Sequence, residues 1–179
     1  MHTLVIVVHP GLEEGSRVNR RLVKQLRESE QVTIHELYAN YPDGKIDVER
    51  EQELLLGHKR VIFQFPLWWY SAPPLLKHWF DEVLTFGWAY GPGGDRLHGQ
   101  EWMVAVTAGS PAESYGPEGY NRYSLEEMTR PYEATANLVG ANWLPLFGVC
   151  NAMQVSEEEL GLAACQYMEQ ALSITARGR

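Results

Sequence analysis

Five apolar runs alternate with amphipathic stretches along the chain. Residues 3–8 (TLVIVV) form a continuous, β-branched run, the pattern of a strand buried on both faces of a parallel sheet. Residues 32–37 alternate roughly, and residues 60–65, 102–107 and 143–149 give three further strands. Between them, Ser16 reads as the N-cap of a helix with Val18, Leu22, Val23 and Leu26 on one stripe. Asp47 caps a short helix running to Leu56, whose charge run at 49–53 reads as a solvated face. Pro73 and Pro74 open a helix with Leu75, Leu76, Trp79, Phe80, Val83 and Leu84 inward and Lys77, His78, Asp81 and Glu82 outward. Thr129-Arg130-Pro131 starts another, which Gly140 stops, and Ser156 with Glu159 forms a capping box for a last helix. The tail from Thr175 to Arg179 reads as loose. Strands alternating with helices predict an α/β fold, a three-layer sandwich around a parallel sheet, as one domain over residues 1–179 with no internal repeat.

Charge and composition narrow the function. The 179 residues carry a net charge of −8, which argues against nucleic acid as a partner and against direct attraction to anionic lipid. No apolar run approaches the roughly 18 residues of a membrane span, and the start, Met-His-Thr-Leu-Val, enters a strand without the basic flank of a signal peptide. Cys150 and Cys165 are the two cysteines, with no CxxC, so reduced thiols in a cytoplasmic protein are expected. No HxH, HExxH or Cys/His cluster occurs, and no metal site is expected.

Candidate chemistry gathers where strands end and helices begin, the edge at which open α/β sheets bind ligands. The first strand passes through His9-Pro10 and a loop to Ser16, Arg17 and Asn19 at a helix start, an arrangement that offers N–H groups to a phosphate. Neither GxGxxG nor GxxxxGK[ST] is present there. Gly91-Pro92-Gly93-Gly94 resembles a dinucleotide loop only superficially, since no helix follows it directly. The third strand delivers Pro66-Leu67-Trp68-Trp69-Tyr70, an aromatic turn suited to a large planar ligand, with core or dimer packing as the competing reading. The fourth ends in Thr107-Ala108-Gly109-Ser110, which is not the GxSxG of a hydrolase. Residues 112–124 (AESYGPEGYNRYS) form a long stretch without clear structure, as functional loops do.

The run from Pro66 to Asp81, PLWWYSAPPLLKHWFD, resembles the signature of the flavodoxin-like NAD(P)H:quinone oxidoreductases, a family that includes modulator-of-drug-activity proteins and the ancillary flavoproteins of Kef potassium-efflux systems. Tyr41-Pro42-Asp43, Trp88-Ala89-Tyr90-Gly91 and Asn142-Trp143-Leu144 are most similar to the Kef ancillary group. The resemblance implies a flavodoxin-like five-stranded parallel sheet of order 2-1-3-4-5, with helices on both faces. It implies FMN, with FAD as the alternative, and NAD(P)H as electron donor to a quinone-like acceptor. Under it, His9, Ser16, Arg17 and Asn19 hold the phosphate. Pro66, Leu67, Trp68, Trp69, Tyr70, Thr107, Ala108, Gly109 and Tyr115 meet the ring. Tyr115 and Arg122 position substrate and stabilise negative charge. Arg122 stands where the family places a histidine, and an arginine that stays charged is a poor proton donor. The resemblance further implies a homodimer, with Trp88 and Tyr90 walling the partner's site, and docking to a potassium-efflux membrane protein at the inner face of the cell membrane. A flavodoxin-type electron carrier is the remaining alternative.

Overall fold

The computed structural model describes residues 2–173; the tail from Thr175 lies outside them. The strands are β1 (Thr3–Val7), β2 (Val32–Glu36), β3 (Arg60–Pro66), β4 (Glu101–Thr107), β5 (Asn142–Trp143) and β6 (Phe147–Val149). The helices are α1 (Leu12–Gly15), α2 (Arg17–Leu26), α3 (Leu37–Asn40), α4 (Val48–Leu56), α5 (Pro74–Val83), α6 (Leu125–Leu138) and α7 (Glu157–Leu172). Among the described residues the strands of the sheet all pair in parallel, in the order β2-β1-β3-β4-β5, with β6 also on β4.

Strand periodicity sorts the core into two layers. Leu4, Ile6, Val8, Phe63, Phe65, Val104 and Val106 face α4, α5 and α6, while Val5, Val7, Ile62, Met103 and Ala105 face α2 and α7. With both faces covered, the strands read as unbroken apolar runs.

Four expectations are corrected. The last strand is two pieces: Glu101 pairs with Asn142, an offset of 41, but Ala105 pairs with Phe147, an offset of 42. One extra residue is therefore accommodated around Pro145, a bulge on the sheet's edge where a proline costs no ladder bond. Helix α6 starts at Leu125, not at Thr129, because Ser124 and Glu127 form a capping box and Pro131 lies inside the helix. The proline's fixed φ suits a helix, and what it forgoes is one backbone bond. The connection after β2 opens with the single turn of α3. Glu51 is not solvated: it is fully buried, accepting from the Tyr41 hydroxyl at 2.6 Å and the Trp79 indole at 2.8 Å, with His35 Nε2 at 2.9 Å. Burial pushes its pKa up, but these three partners outweigh burial and hold the carboxyl below its ordinary value.

Arg60, fully buried at the start of β3, meets Glu101 at 2.8 Å. It also donates to the carbonyls of Gln170, Ala171 and Ser173, closing the end of α7.

Candidate active site

A cleft of about 380 Å³ opens where β1, β3 and β4 end. It brings together His9, Ser16, Arg17, Asn19, Pro66, Leu67, Trp68, Thr107 and Gly109, which come from three separate strand ends. A larger cavity of about 550 Å³ lies between α5 and α6, lined by Phe80, Leu84, Tyr90, Tyr132 and Leu138. It is a mainly apolar groove along the two helices that reaches the β3 turn only at Ser71 and Ala72, so the smaller cleft, built from three strand ends with polar donors, is the candidate for chemistry.

One end of the cleft is the start of α2. Ser16 caps it, its hydroxyl oxygen accepting from the Asn19 N–H at 3.2 Å. The first-turn N–H groups of Arg17 and Val18 have no helical carbonyl behind them and, with the helix dipole, favour an anion. Arg17 holds Glu157 Oε1 at 2.7 Å and the Val155 carbonyl at 2.7 Å, which ties this end to the approach to α7. Asn19 lines the floor of the cleft, almost wholly buried, with its amide nitrogen on Ser16 and Thr107.

His9 stands beside it. Its Nδ1 accepts from the Gly11 N–H at 3.1 Å, so in the neutral ring the proton sits on Nε2. Burial lowers its pKa and favours that neutral form. The imidazole meets Trp68 edge-on, with centroids 6.1 Å apart.

The aromatic turn closes on itself. Trp68 and Ser71 exchange both backbone bonds, at 2.8 and 3.0 Å. Trp69 and Tyr70 between them take φ values of 47° and 64°, left-handed backbone in the manner of a type I′ turn. For such residues this costs on the order of 1–3 kcal/mol each. Trp68 lines the cleft, whereas Trp69, 94% exposed, and Tyr70, 54% exposed, project outward. The N–H groups of Leu67, Trp68 and Ala108 are spent on Thr107, Ser71 and Val149. Those of Trp69 and Gly109 have no backbone acceptor among the described residues.

Residues 112–124 are more ordered than the sequence suggests. A 3₁₀ turn covers Ala112–Ser114, and the Gly116 and Asn121 N–H groups donate to the carbonyls of Tyr123 and Ser114. Gly119 sits so close to Ser114 that a Cβ there would lie 2.3 Å from its carbonyl oxygen. The Tyr120 hydroxyl bonds Ser110. Burial pushes the Tyr115 phenol up, opposed by hydrogen bonding to Ser110. Arg122 is exposed, with φ 64°, outside the cleft lining. Trp88 and Tyr90 lie on the α5–α6 side of the sheet, and Tyr90 lines the apolar groove.

Ala152 and Met153 were missed by sequence reasoning and line the cleft from the loop after β6. The Asn151 N–H bonds the Ser110 carbonyl and the Ala152 N–H bonds that of Ala108, clamping this loop to the β4 turn. No segment of CNAMQV carries a recognisable signal. Among the described residues no cluster of His, Cys, Asp or Glu could hold a metal, and no helix is long and apolar enough to cross a membrane.

Comparison with known proteins agrees with this architecture. The family described as having a flavodoxin-like fold matches residues 1–172. The uncharacterized NAD(P)H oxidoreductase YdeQ of Bacillus subtilis is 50% identical over 97% of this chain and 88% of its own. The potassium-efflux ancillary protein KefG of Cronobacter sakazakii is 43% identical over 88% of this chain and 85% of its own. General stress protein 14 of Treponema denticola, crystallised with FMN, superimposes with a TM-score of 0.89 at 39% identity, covering 96% of this chain and 98% of that one. An NADPH-quinone reductase from P. pentosaceus gives 0.89 at 31%, covering 97% and 99%. A chain described as a thermophilic tryptophan halogenase from Streptomycin violaceusniger gives 0.93 at 47%, covering 96% and 99%. The sheet order, the cleft at the strand ends and these likenesses agree: the chain belongs to the flavodoxin-like family, among the relatives named NAD(P)H oxidoreductase and KefG.

Proposed function

We propose that the chain is an NAD(P)H:quinone oxidoreductase that works through FMN held non-covalently in the strand-end cleft. The observation that carries this is the pairing, in one cleft, of an anion-binding helix start at Ser16 with an aromatic wall at Trp68. That is the combination a phosphorylated, planar cofactor requires. FMN is favoured over FAD because a relative 39% identical was crystallised with FMN.

When bound, FMN supplies the two-electron chemistry, accepting hydride from NAD(P)H and passing it to an acceptor. The first turn of α2 and the Ser16 hydroxyl bind the phosphate, with Arg17 alongside. Pro66, Leu67, Trp68 and Thr107 flank the ring, and the Trp69 and Gly109 N–H groups are the donors left for its edge. His9 offers its Nε2 proton. Donor and acceptor would bind in turn, a ping-pong order. Tyr115 and Arg122 would position the acceptor and stabilise the negative charge of the reduced cofactor. Two copies pair through the apolar groove between α5 and α6, where Leu138 in its lining and Phe86 just outside it are strongly exposed.

Likeness to KefG favours a second, compatible reading, in which the protein also docks on a potassium-efflux membrane protein. The halogenase name belongs to its own chain and is not carried over.

The test is an absorbance spectrum of the purified protein followed by steady-state oxidation of NADPH with a soluble quinone. A yellow protein with quinone-dependent turnover is expected. Protein that stays colourless after reconstitution with FMN or FAD ends the redox reading, and flavin-loaded protein without turnover leaves only an electron carrier.

A further inference from the structure

Beneath the cleft lies a short chain of buried amides whose hydrogen bonds have one consistent direction. Gln64, in the middle of β3, is fully buried, and Asn19 is 2% exposed. The Gln64 side-chain nitrogen lies 3.2 Å from the Asn19 backbone carbonyl oxygen and 3.2 Å from Asn19 Oδ1. A carbonyl only accepts, so the Gln64 atom facing it must be the NH₂ group. That NH₂ fixes the facing Asn19 atom as Oδ1. The Asn19 NH₂ must then point the other way, where it meets Ser16 Oγ at 3.1 Å and Thr107 Oγ1 at 2.9 Å. Ser16 Oγ already accepts from the Asn19 N–H. Both of its lone pairs are thereby filled, and its own proton has to be given outward. Thr107 accepts from below as well, which frees its hydroxyl proton for the cleft.

The geometry points to Gln64 and Asn19 as positioning residues that set the polarity of the cofactor cleft: they make its hydroxyls donors before any ligand arrives. This rests on the reading of the cleft as an FMN site, and deepens it. A site lined by preset donors takes a phosphate dianion without reorganising and disfavours a ligand that must itself donate. The arrangement leaves Gln64 Oε1 buried without a hydrogen-bond partner. An apolar side chain of similar size would remove that orphan only by leaving Asn19 Oδ1 without its donor, so the amide brings little net stability and its effect falls on the orientation of Asn19.

The experiment compares wild type with Gln64→Leu and Asn19→Leu, titrating apoprotein with FMN and with riboflavin, which lacks the phosphate, by flavin fluorescence. Thermal midpoints serve as the check on folding. The expected result is FMN binding weakened about tenfold in Gln64→Leu and up to about a hundredfold in Asn19→Leu. Riboflavin affinity stays within about threefold, and the midpoint of Gln64→Leu stays within about 4 °C, since one orphaned oxygen is exchanged for another. FMN and riboflavin losses of equal size, or no loss of either, overturn the proposal. Should wild type bind neither flavin, the cofactor reading fails by itself, and amide NMR titration with inorganic phosphate decides this one. Phosphate binding at the Ser16 end of the cleft in wild type that is lost in both variants upholds the preset polarity. Binding that is absent, or unchanged by the substitutions, overturns it.

Discussion

At the N-terminal ends of β3 and β4 the polar groups close on one another, whereas at the C-terminal ends of β1, β3 and β4 they turn toward the cleft. Arg60 spends its guanidinium on Glu101 and three carbonyls of the α7 terminus. Ser16 and Thr107 have their lone pairs engaged from beneath and their protons left over. Backbone conformation divides the same way. Trp69, Tyr70, Arg122 and Asn151, the four non-glycine residues with positive φ among the described residues, all lie in loops that follow the C-terminal ends of strands or run beside the cleft. Satisfied groups give stability and nothing to bind with. Unsatisfied groups and strained turns subtract from stability and supply recognition.

The contrast can be broken most severely at the closed end. Arg60→Ala takes a buried guanidinium away from Glu101 and from the α7 carbonyls, and is expected to destabilise the fold by about 3–5 kcal/mol. Denaturant unfolding measures this, and flavin affinity of the fraction that remains folded should be unchanged. A parallel loss of flavin affinity would mean the two ends are coupled. At the open end, Ser16→Asp keeps a competent helix cap but opposes an incoming phosphate. Unfolding free energy should stay within about 0.5 kcal/mol, while FMN binding falls about a hundredfold, read by fluorescence titration. The smallest effect is expected at Trp69→Gly. Glycine relieves the left-handed strain, and a 94% exposed indole has little packing to lose, so stability should change by no more than about 1 kcal/mol. Flavin or acceptor binding should weaken; a large loss of stability instead would make Trp69 a structural residue.

Elements whose cause is local were readable from the sequence. The run TLVIVV, the caps at Ser16, Asp47 and Ser156, and the stop at Gly140 each act within a few residues of themselves. The Ser124–Glu127 box carried the same signal as Ser156–Glu159, but Pro131 drew the start of α6 toward itself. What was not readable depends on partners brought from afar. Glu51 sits in an acidic run, and only the meeting of β2, the end of α3 and α5 supplies His35, Tyr41 and Trp79. The site residues were legible as a set, through strand ends followed by turns. The inward orientation of Asn19 was not, because it depends on Gln64, 45 positions away. A lone amide inside RVIFQFP was the one hint available.

The break at Pro145 has a consequence for how copies of this molecule can meet. This rim of the sheet carries only two- and three-residue segments, separated by three residues of which Pro145 has no N–H to offer. Such a rim cannot template a further strand, so it resists the edge-to-edge stacking that leads to fibrils. Association on that side of the molecule is left to side chains rather than main chain.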